Sequence, residues 1–135
     1  MKIAIAQINP IVGDIEGNTK KISSIIKKTK ADIVVFPELS ITGYSPQDLL
    51  LKNNFIDKNM VALKKIVQNT KSKTAILGFI ERAYGNLYNS AAIIRNQQIV
   101  EIHHKICLPN YAIFDEKRWF KEGNNATIFE FEGRI

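Results

Sequence analysis

The apolar positions predict two buried strands and two helices in the first half of the chain. Residues 2–8 and 32–36 are short, almost continuously apolar runs, typical of strands buried on both faces. Helical spacing predicts one helix from a capping Asn18 to about residue 29 and a second over residues 54–70. The apolar residues that carry this spacing are Ile22, Ile25 and Ile26 in the first helix and Ile56, Met60, Leu63 and Val67 in the second.

The second half changes to the two-residue period of strands. The pattern predicts strands over residues 74–81, 87–95, 98–105 and 127–131 and a helical turn over residues 115–119. Asn96 and Gln97 join the middle two strands as a hairpin. Alternating strands and helices that give way to hairpins predict the α/β class, in a layered sandwich with mixed sheets. Because no linker, repeat or low-complexity run interrupts the pattern, we expect one domain over residues 1–135.

The last residues predict an interrupted hairpin. Glu132 and Gly133 are typical of a turn, and Arg134 and Ile135 would begin the strand that returns from it. A second arm of two residues is too short to pair. We therefore expect the sequence to stop inside an element and the fold to be incomplete at its C-terminus.

Composition excludes several classes of protein. The chain has 135 residues, of which 45% are hydrophobic and 24% charged, as in ordinary globular domains. No apolar run approaches the roughly 18 residues of a membrane span, and the N-terminus lacks a secretory cleavage site. The single cysteine, Cys107, cannot form an internal disulfide, which favours a cytoplasmic location. A membrane partner is not expected.

The formal charge of +6 does not indicate a nucleic-acid partner. Fifteen of the nineteen basic residues are lysine, whereas nucleic-acid sites favour arginine and interleaved aromatic residues. Many of the lysines are paired in sequence, on the predicted solvent faces of the helices. The charge therefore predicts a lysine-rich surface and no nucleic-acid site.

Two charged residues lie at strand ends, where open α/β sheets place their sites. Glu38 follows the second strand and Pro37, so desolvation could make it a general base, or it could simply cap nearby loop amides. Lys105 ends the strand over residues 98–105 and is either an oxyanion donor or an ordinary edge charge. Position alone leaves both alternatives open.

Cys107 lies close in sequence to His103 and His104, which invites a Cys-His nucleophile or a metal site. The three residues match no usual zinc spacing, and Cys107 is more typical of a small, partly buried hydrophobic residue. We therefore predict no metal site. The aromatic residues of the following loop, and Tyr44 after Gly43, are equally consistent with loop anchors.

Four motifs give these residues a family resemblance. Residues 36–44 (FPELSITGY) closely resemble the first signature of the nitrilase, or carbon–nitrogen hydrolase, superfamily, and residues 105–111 (KICLPNY) resemble the second. Residues 47–51 (QDLLL) and 114–120 (FDEKRWF) narrow the resemblance to the glutaminase domains of bacterial glutamine-dependent NAD synthetases. The resemblance covers essentially the whole chain. Ser45 and Gln47 depart from it, where that family more often has proline and glutamate.

The resemblance implies an αββα sandwich and a set of site residues. Glu38 matches the general base, Lys105 the lysine that stabilises the oxyanion, and Glu116 a supporting glutamate. The residues that match the glutamine pocket and its approach are Tyr111, Tyr44 and Phe114. In this family a thiolate attacks the carboxamide of glutamine, gives a thioester and releases ammonia.

The same resemblance implies what these residues lack. The nucleophilic cysteine of the family lies beyond the second motif, and Cys107 does not match it. The ammonia would pass to a separate synthetase domain, which uses ATP and Mg²⁺ to amidate deamido-NAD, whereas the amidase part needs no cofactor. We therefore expect residues 1–135 to be inactive alone and the full-length protein to be a homo-oligomer. Two alternatives stay open, namely part of a stand-alone amidase for another small amide and a non-catalytic remnant that pairs through an open sheet edge.

Overall fold

Within the described residues, 1–133 and 135, five strands lie side by side in chain order in one mixed sheet. The structure is a computed structural model. The strands are β1 (Ile3–Ile5), β2 (Ile33–Val35), β3 (Thr74–Ala83), β4 (Asn86–Arg95) and β5 (Gln98–His104). The helices are α1 (Ile15–Lys28) and α2 (Asn53–Asn69), with short 3₁₀ helices over Gln47–Leu51 and Glu116–Arg118.

The connections explain how the layers form. β1, β2 and β3 are parallel neighbours, and α1 and α2 are the crossovers between them. Right-handed crossovers place both helices over one face of the sheet, where the helices also contact each other. β3, β4 and β5 then follow as antiparallel hairpins. The predicted α/β class is therefore confirmed, as is the predicted order of helices and strands from β1 to β5.

The core lies between the two helices and the sheet. Fully buried side chains from both layers include Ile22, Ile26, Val34, Ile56, Leu63, Ile66, Leu77 and Phe79. Each such side chain contributes about 1.5–3 kcal/mol through the removal of its apolar surface from water. The described residues thus form one helical layer packed on one mixed sheet. None of their helices is long and apolar enough to cross a lipid bilayer.

β1 is shorter and less buried than predicted. It spans Ile3–Ile5 instead of residues 2–8, and the side chains of Ile3 and Ile5 are exposed. Ala4, between them, packs against the core. Because side chains alternate across a strand, one face of β1 meets the helical layer and the other does not. The prediction of a strand buried on both faces was wrong for β1.

α1 begins earlier than predicted, because Asp14 and not Asn18 is its N-cap. The Asp14 carboxylate accepts a hydrogen bond of 2.9 Å from the Gly17 main-chain N–H. The buried Asn18 amide instead bonds to main-chain groups of two loops, at Ile11 and Ile41. Asparagine is common both at helix N-caps and at buried positions that bond to loop main chains. The sequence alone therefore does not tell which of the two roles Asn18 has.

The predicted strand over residues 127–131 is absent: residues 127–130 have no regular secondary structure, and Phe131 forms an isolated bridge. Side chains of this segment still alternate between half-buried and exposed, and the Glu130 carbonyl accepts a hydrogen bond from the Arg95 side chain. The turn expected at residues 132–133 is present. The returning strand expected after it includes Arg134, which lies outside the described residues.

Candidate active site

Glu38 lies on a segment that continues along β3 after β2 has ended. The Phe36 main-chain N–H donates to Ile76 at 2.8 Å, and the Gly78 N–H donates to Pro37 at 3.3 Å. These bonds extend the sheet past the proline and then turn the chain away from it. The Glu38 side chain projects at the end of the parallel strands, as its position in sequence predicted, but it is 42% exposed and therefore not desolvated as that position also suggested.

Gly78 allows this segment to approach β3. A β-carbon built on Gly78 would collide with main-chain atoms of Glu38 and Leu39. Glycine is therefore required here for close passage of two backbones and not for an unusual dihedral angle.

Replacing Gly78 with alanine should push the Glu38 segment away from the sheet. We expect a destabilisation of about 1–3 kcal/mol, the usual cost of overpacking, measured as a lower melting temperature. Gly85→Ala is the matched control for added bulk, because nothing lies near a β-carbon at Gly85, although its positive φ adds some strain. Equal melting temperatures for Gly78→Ala and the wild type would contradict the close approach.

Lys105 immediately follows β5 and is held from both sides. Its main-chain N–H donates to the Asn89 carbonyl of β4 at 2.8 Å, and its own carbonyl accepts from the Gly123 N–H at 2.9 Å. The backbone of Lys105 is therefore fixed even though the strand has formally ended. Its side chain extends toward Glu38, which lies 67 positions away in sequence.

Glu116 reaches the same point from the loop after Lys105. Its main-chain N–H donates to the Pro109 carbonyl at 3.1 Å, and its carbonyl accepts from Phe120 at 2.9 Å. This folds the loop back and buries the carboxylate, whose side chain is only 4% exposed. A buried carboxylate needs a cationic partner to stay ionised.

The Lys105 ammonium is that partner and joins the two glutamates. Its Nζ lies 2.7 Å from Oε1 of Glu38 and 3.0 Å from both carboxylate oxygens of Glu116. Oε2 of Glu116 is buried and makes no well-formed hydrogen bond among the described residues. The structure thus brings together the three residues to which sequence reasoning assigned the chemistry.

Electrostatics keep Lys105 charged. Burial alone would lower the pKa of its ammonium, but the hydrogen bonds to Glu38 and Glu116 outweigh burial and raise the pKa above its usual value. Lys105 is therefore a cationic donor at neutral pH and not a base. An ammonium has three N–H bonds, so two hydrogen bonds to carboxylates leave one for a further acceptor.

The three aromatic residues predicted to bind substrate form a group beside this cluster. The Phe114 ring lies 6.3 Å from the ring of Tyr44 and 5.5 Å, edge to face, from the ring of Tyr111. Burial, and then the nearby Glu116 carboxylate, raise the pKa of Tyr44, so its hydroxyl stays protonated. The aromatic group therefore borders the charged cluster, with the Tyr44 hydroxyl near Glu116 and apolar ring faces around it.

Cys107, His103 and His104 have separate surroundings and do not form a common site. Cys107 is exposed. His104 lies 2.6 Å from Oε2 of Glu81, and His103 lies 3.2 Å from the Thr127 hydroxyl. Consecutive strand residues point to opposite faces, which separates the histidines. Within residues 1–133 and 135, no group of three or more His, Cys, Asp or Glu side chains is arranged to hold a metal ion.

The sequence of this chain was compared with models of known protein families. The family model described as carbon-nitrogen hydrolase matches residues 2–133. The chain belongs to the carbon-nitrogen hydrolase family.

Individual relatives narrow the comparison from the family to particular enzymes. The chain is 38% identical over 133 residues to the glutamine-dependent NAD(+) synthetase of Thermotoga maritima, covering 95% of this chain and 23% of that protein. It matches the structure of glutamine-dependent NAD+ synthetase from Acinetobacter baumannii with a TM-score of 0.92 and 38% identity, over 98% of this chain and 26% of the other. The chain thus spans about a quarter of the length of these relatives.

A more distant likeness concerns the fold alone. An amidase from Nesterenkonia sp. superposes with a TM-score of 0.82 at 17% identity, over 98% of this chain and 52% of the other. The carbon-nitrogen hydrolase architecture is therefore kept when most of the sequence has changed.

One residue of this candidate site was not predicted from the sequence. Asn89 of β4 is buried, and its amide Nδ2 donates to Oε1 of Glu38 at 2.5 Å. A signal existed, since Asn89 and Ser90 are polar residues in a strand that is otherwise mostly apolar. Buried polar side chains almost always have a partner, but the sequence does not say which one.

Proposed function

We propose that this chain is the N-terminal part of a glutaminase domain that hydrolyses the side-chain amide of glutamine and supplies ammonia for NAD synthesis. The observation that carries the proposal is the convergence of Lys105 Nζ on Glu38 and Glu116. The 38% identity to glutamine-dependent NAD synthetases supports glutamine as the amide.

The proposed chemistry divides a difficult hydrolysis into two easier steps. Glu38 takes the proton of a cysteine thiol, and the thiolate attacks the amide carbon. The remaining N–H of Lys105 donates to the oxyanion that forms there. The C–N bond then breaks, the leaving nitrogen receives the proton from Glu38, and ammonia departs. Water, activated by the same carboxylate, hydrolyses the thioester to glutamate and restores the thiol.

Glu116 has a supporting role in this proposal. Its buried carboxylate lies 3.0 Å from the Lys105 ammonium and restrains it as a second anchor beside Glu38, so that the ammonium stays aimed at the reacting carbon. Tyr44, Tyr111 and Phe114 are proposed to line the glutamine pocket. Aromatic surface beside fixed charges suits a substrate with an apolar chain and a polar amide.

The thiol is proposed to come from outside these 135 residues. Cys107 is exposed and belongs to the segment between Lys105 and Glu116. Residues 1–135 alone are therefore proposed to be inactive. The ammonia is proposed to pass to a synthetase part that uses ATP and Mg²⁺, and no residue of this chain is assigned to either.

Ammonia release tests the function directly. The protein expressed from its complete gene should release ammonia and glutamate from glutamine with a kcat/KM at least about tenfold above that for asparagine or acetamide. Residues 1–135 expressed alone should release none above background. Hydrolysis of acetamide in preference to glutamine would instead support a stand-alone amidase, and no release from any amide would contradict both functions.

A further inference from the structure

The two carboxylate oxygens of Glu38 have different surroundings. Oε1 accepts hydrogen bonds from the Lys105 ammonium at 2.7 Å and from the Asn89 amide at 2.5 Å. Among the described residues, no side chain or main-chain group donates to Oε2. The carboxylate is therefore held at one oxygen and open at the other.

Asn89 is well placed to hold that oxygen. It lies in β4, between β3 and β5, and its side chain is almost completely buried, with 4% of the residue exposed. Its main-chain carbonyl accepts the Lys105 N–H at 2.8 Å. Asn89 thus contacts the backbone of the lysine and the side chain of the base, and it couples their positions through one rigid strand.

Lys105 alone would orient Glu38 less well. Its ammonium is restrained by Glu116, but it meets Glu38 through a single hydrogen bond at the end of a four-carbon chain, and one bond does not fix the rotation of the carboxylate. An amide on a central strand has far less freedom, and it adds no charge. Since catalysis depends on placing a base within a fraction of an ångström, this restraint bears on rate.

We infer that Asn89 is a positioning residue for Glu38: it occupies Oε1 so that Oε2 is the oxygen that takes the proton of the nucleophile. The inference rests on the proposed function. It assigns Asn89 no contact with substrate, because the residue is almost completely buried and its amide donates to Glu38.

Substitution of Asn89 should therefore lower kcat and spare KM. In the protein expressed from its complete gene, Asn89→Ala should reduce kcat for glutamine by about 10–100-fold and change KM by less than about twofold. Asn89→Asp, which has the same shape, should cost more, because a carboxylate would face Glu38. Asn86→Ala on the same strand is the control, since Asn86 is exposed and, among the described residues, its side chain bonds only to the Tyr84 carbonyl.

Repeating the Asn89 substitution in the Glu38→Gln variant distinguishes a positioning role from a structural one. If Asn89 acts through Glu38, adding Asn89→Ala to Glu38→Gln should lower the residual rate by less than about twofold. A structural role would give the same loss in both backgrounds and would overturn the inference. An Asn89→Ala protein with unchanged kcat would also overturn it. If Asn89→Ala does not fold, the isosteric Asn89→Asp is judged by the same two measurements.

Failure of the inference is distinguishable from failure of the function. A wild-type protein that releases no ammonia from glutamine contradicts the proposed function, and the inference falls with it. An active wild type whose Asn89 variants match it in kcat contradicts the inference alone.

Discussion

Glu38→Gln should lower kcat for glutamine hydrolysis by about a thousandfold, within the range expected when a general base is removed. Glutamine has the shape of glutamate and can still accept hydrogen bonds from Lys105 and Asn89 at its amide oxygen. It cannot take the thiol proton at neutral pH. The measurement is ammonia release by the protein expressed from its complete gene.

The fold should survive this change. Glu38 is partly exposed, and the segment that carries it is held by main-chain bonds to β3, so we expect the melting temperature to shift by no more than a few degrees. Glu101→Gln is the matched control, because Glu101 is an exposed glutamate of β5. Activity of Glu38→Gln near that of the control would exclude Glu38 as the base.

Lys105→Met should abolish detectable activity and destabilise the protein by about 3 kcal/mol. Methionine keeps the apolar length of lysine but leaves the buried Glu116 carboxylate without its cation, and an unpaired buried charge costs about 3–5 kcal/mol. The lower value applies because Lys105 keeps some contact with solvent. The loss is measured as the fall in melting temperature relative to the wild type.

A compensating substitution tests the cause of that loss. Glu116→Gln removes the stranded charge, so the double variant should recover most of the stability lost in Lys105→Met while staying inactive. Failure of the double variant to recover stability would show that Lys105 contributes through packing instead.

The dependence of this stability on pH has a definite sign. The folded protein raises the pKa of Lys105 above 10.5, its usual value, so the stabilisation is complete below that pH and is lost as the pH rises through the raised value. The difference between wild type and Lys105→Met should therefore shrink in strong alkali and not between pH 6 and 9.

The element order could be predicted from the sequence because the apolar periods are strong. The run at residues 32–36 and the helical spacing from Ile56 to Val67 both correspond to observed elements. Predictions from weaker patterns were wrong where the same residues suit two different local structures. Asn18 suits a helix cap as well as a buried loop contact, and residues 127–131 alternate as an extended loop can.

For the candidate site, too, some features could be predicted from the sequence and others could not. By itself, the sequence determined the α/β class, the strand ends that carry Glu38 and Lys105, and the motifs that mark Glu116. Only the tertiary structure decided that these residues meet at one ammonium, that Gly78 admits the Glu38 segment and that Asn89 donates to one oxygen of Glu38. The reason is physical: hydrophobic period is a local property of the chain, whereas Glu38, Asn89 and Lys105 come together only because β3, β4 and β5 pair in a particular register and bring distant residues within hydrogen-bond distance.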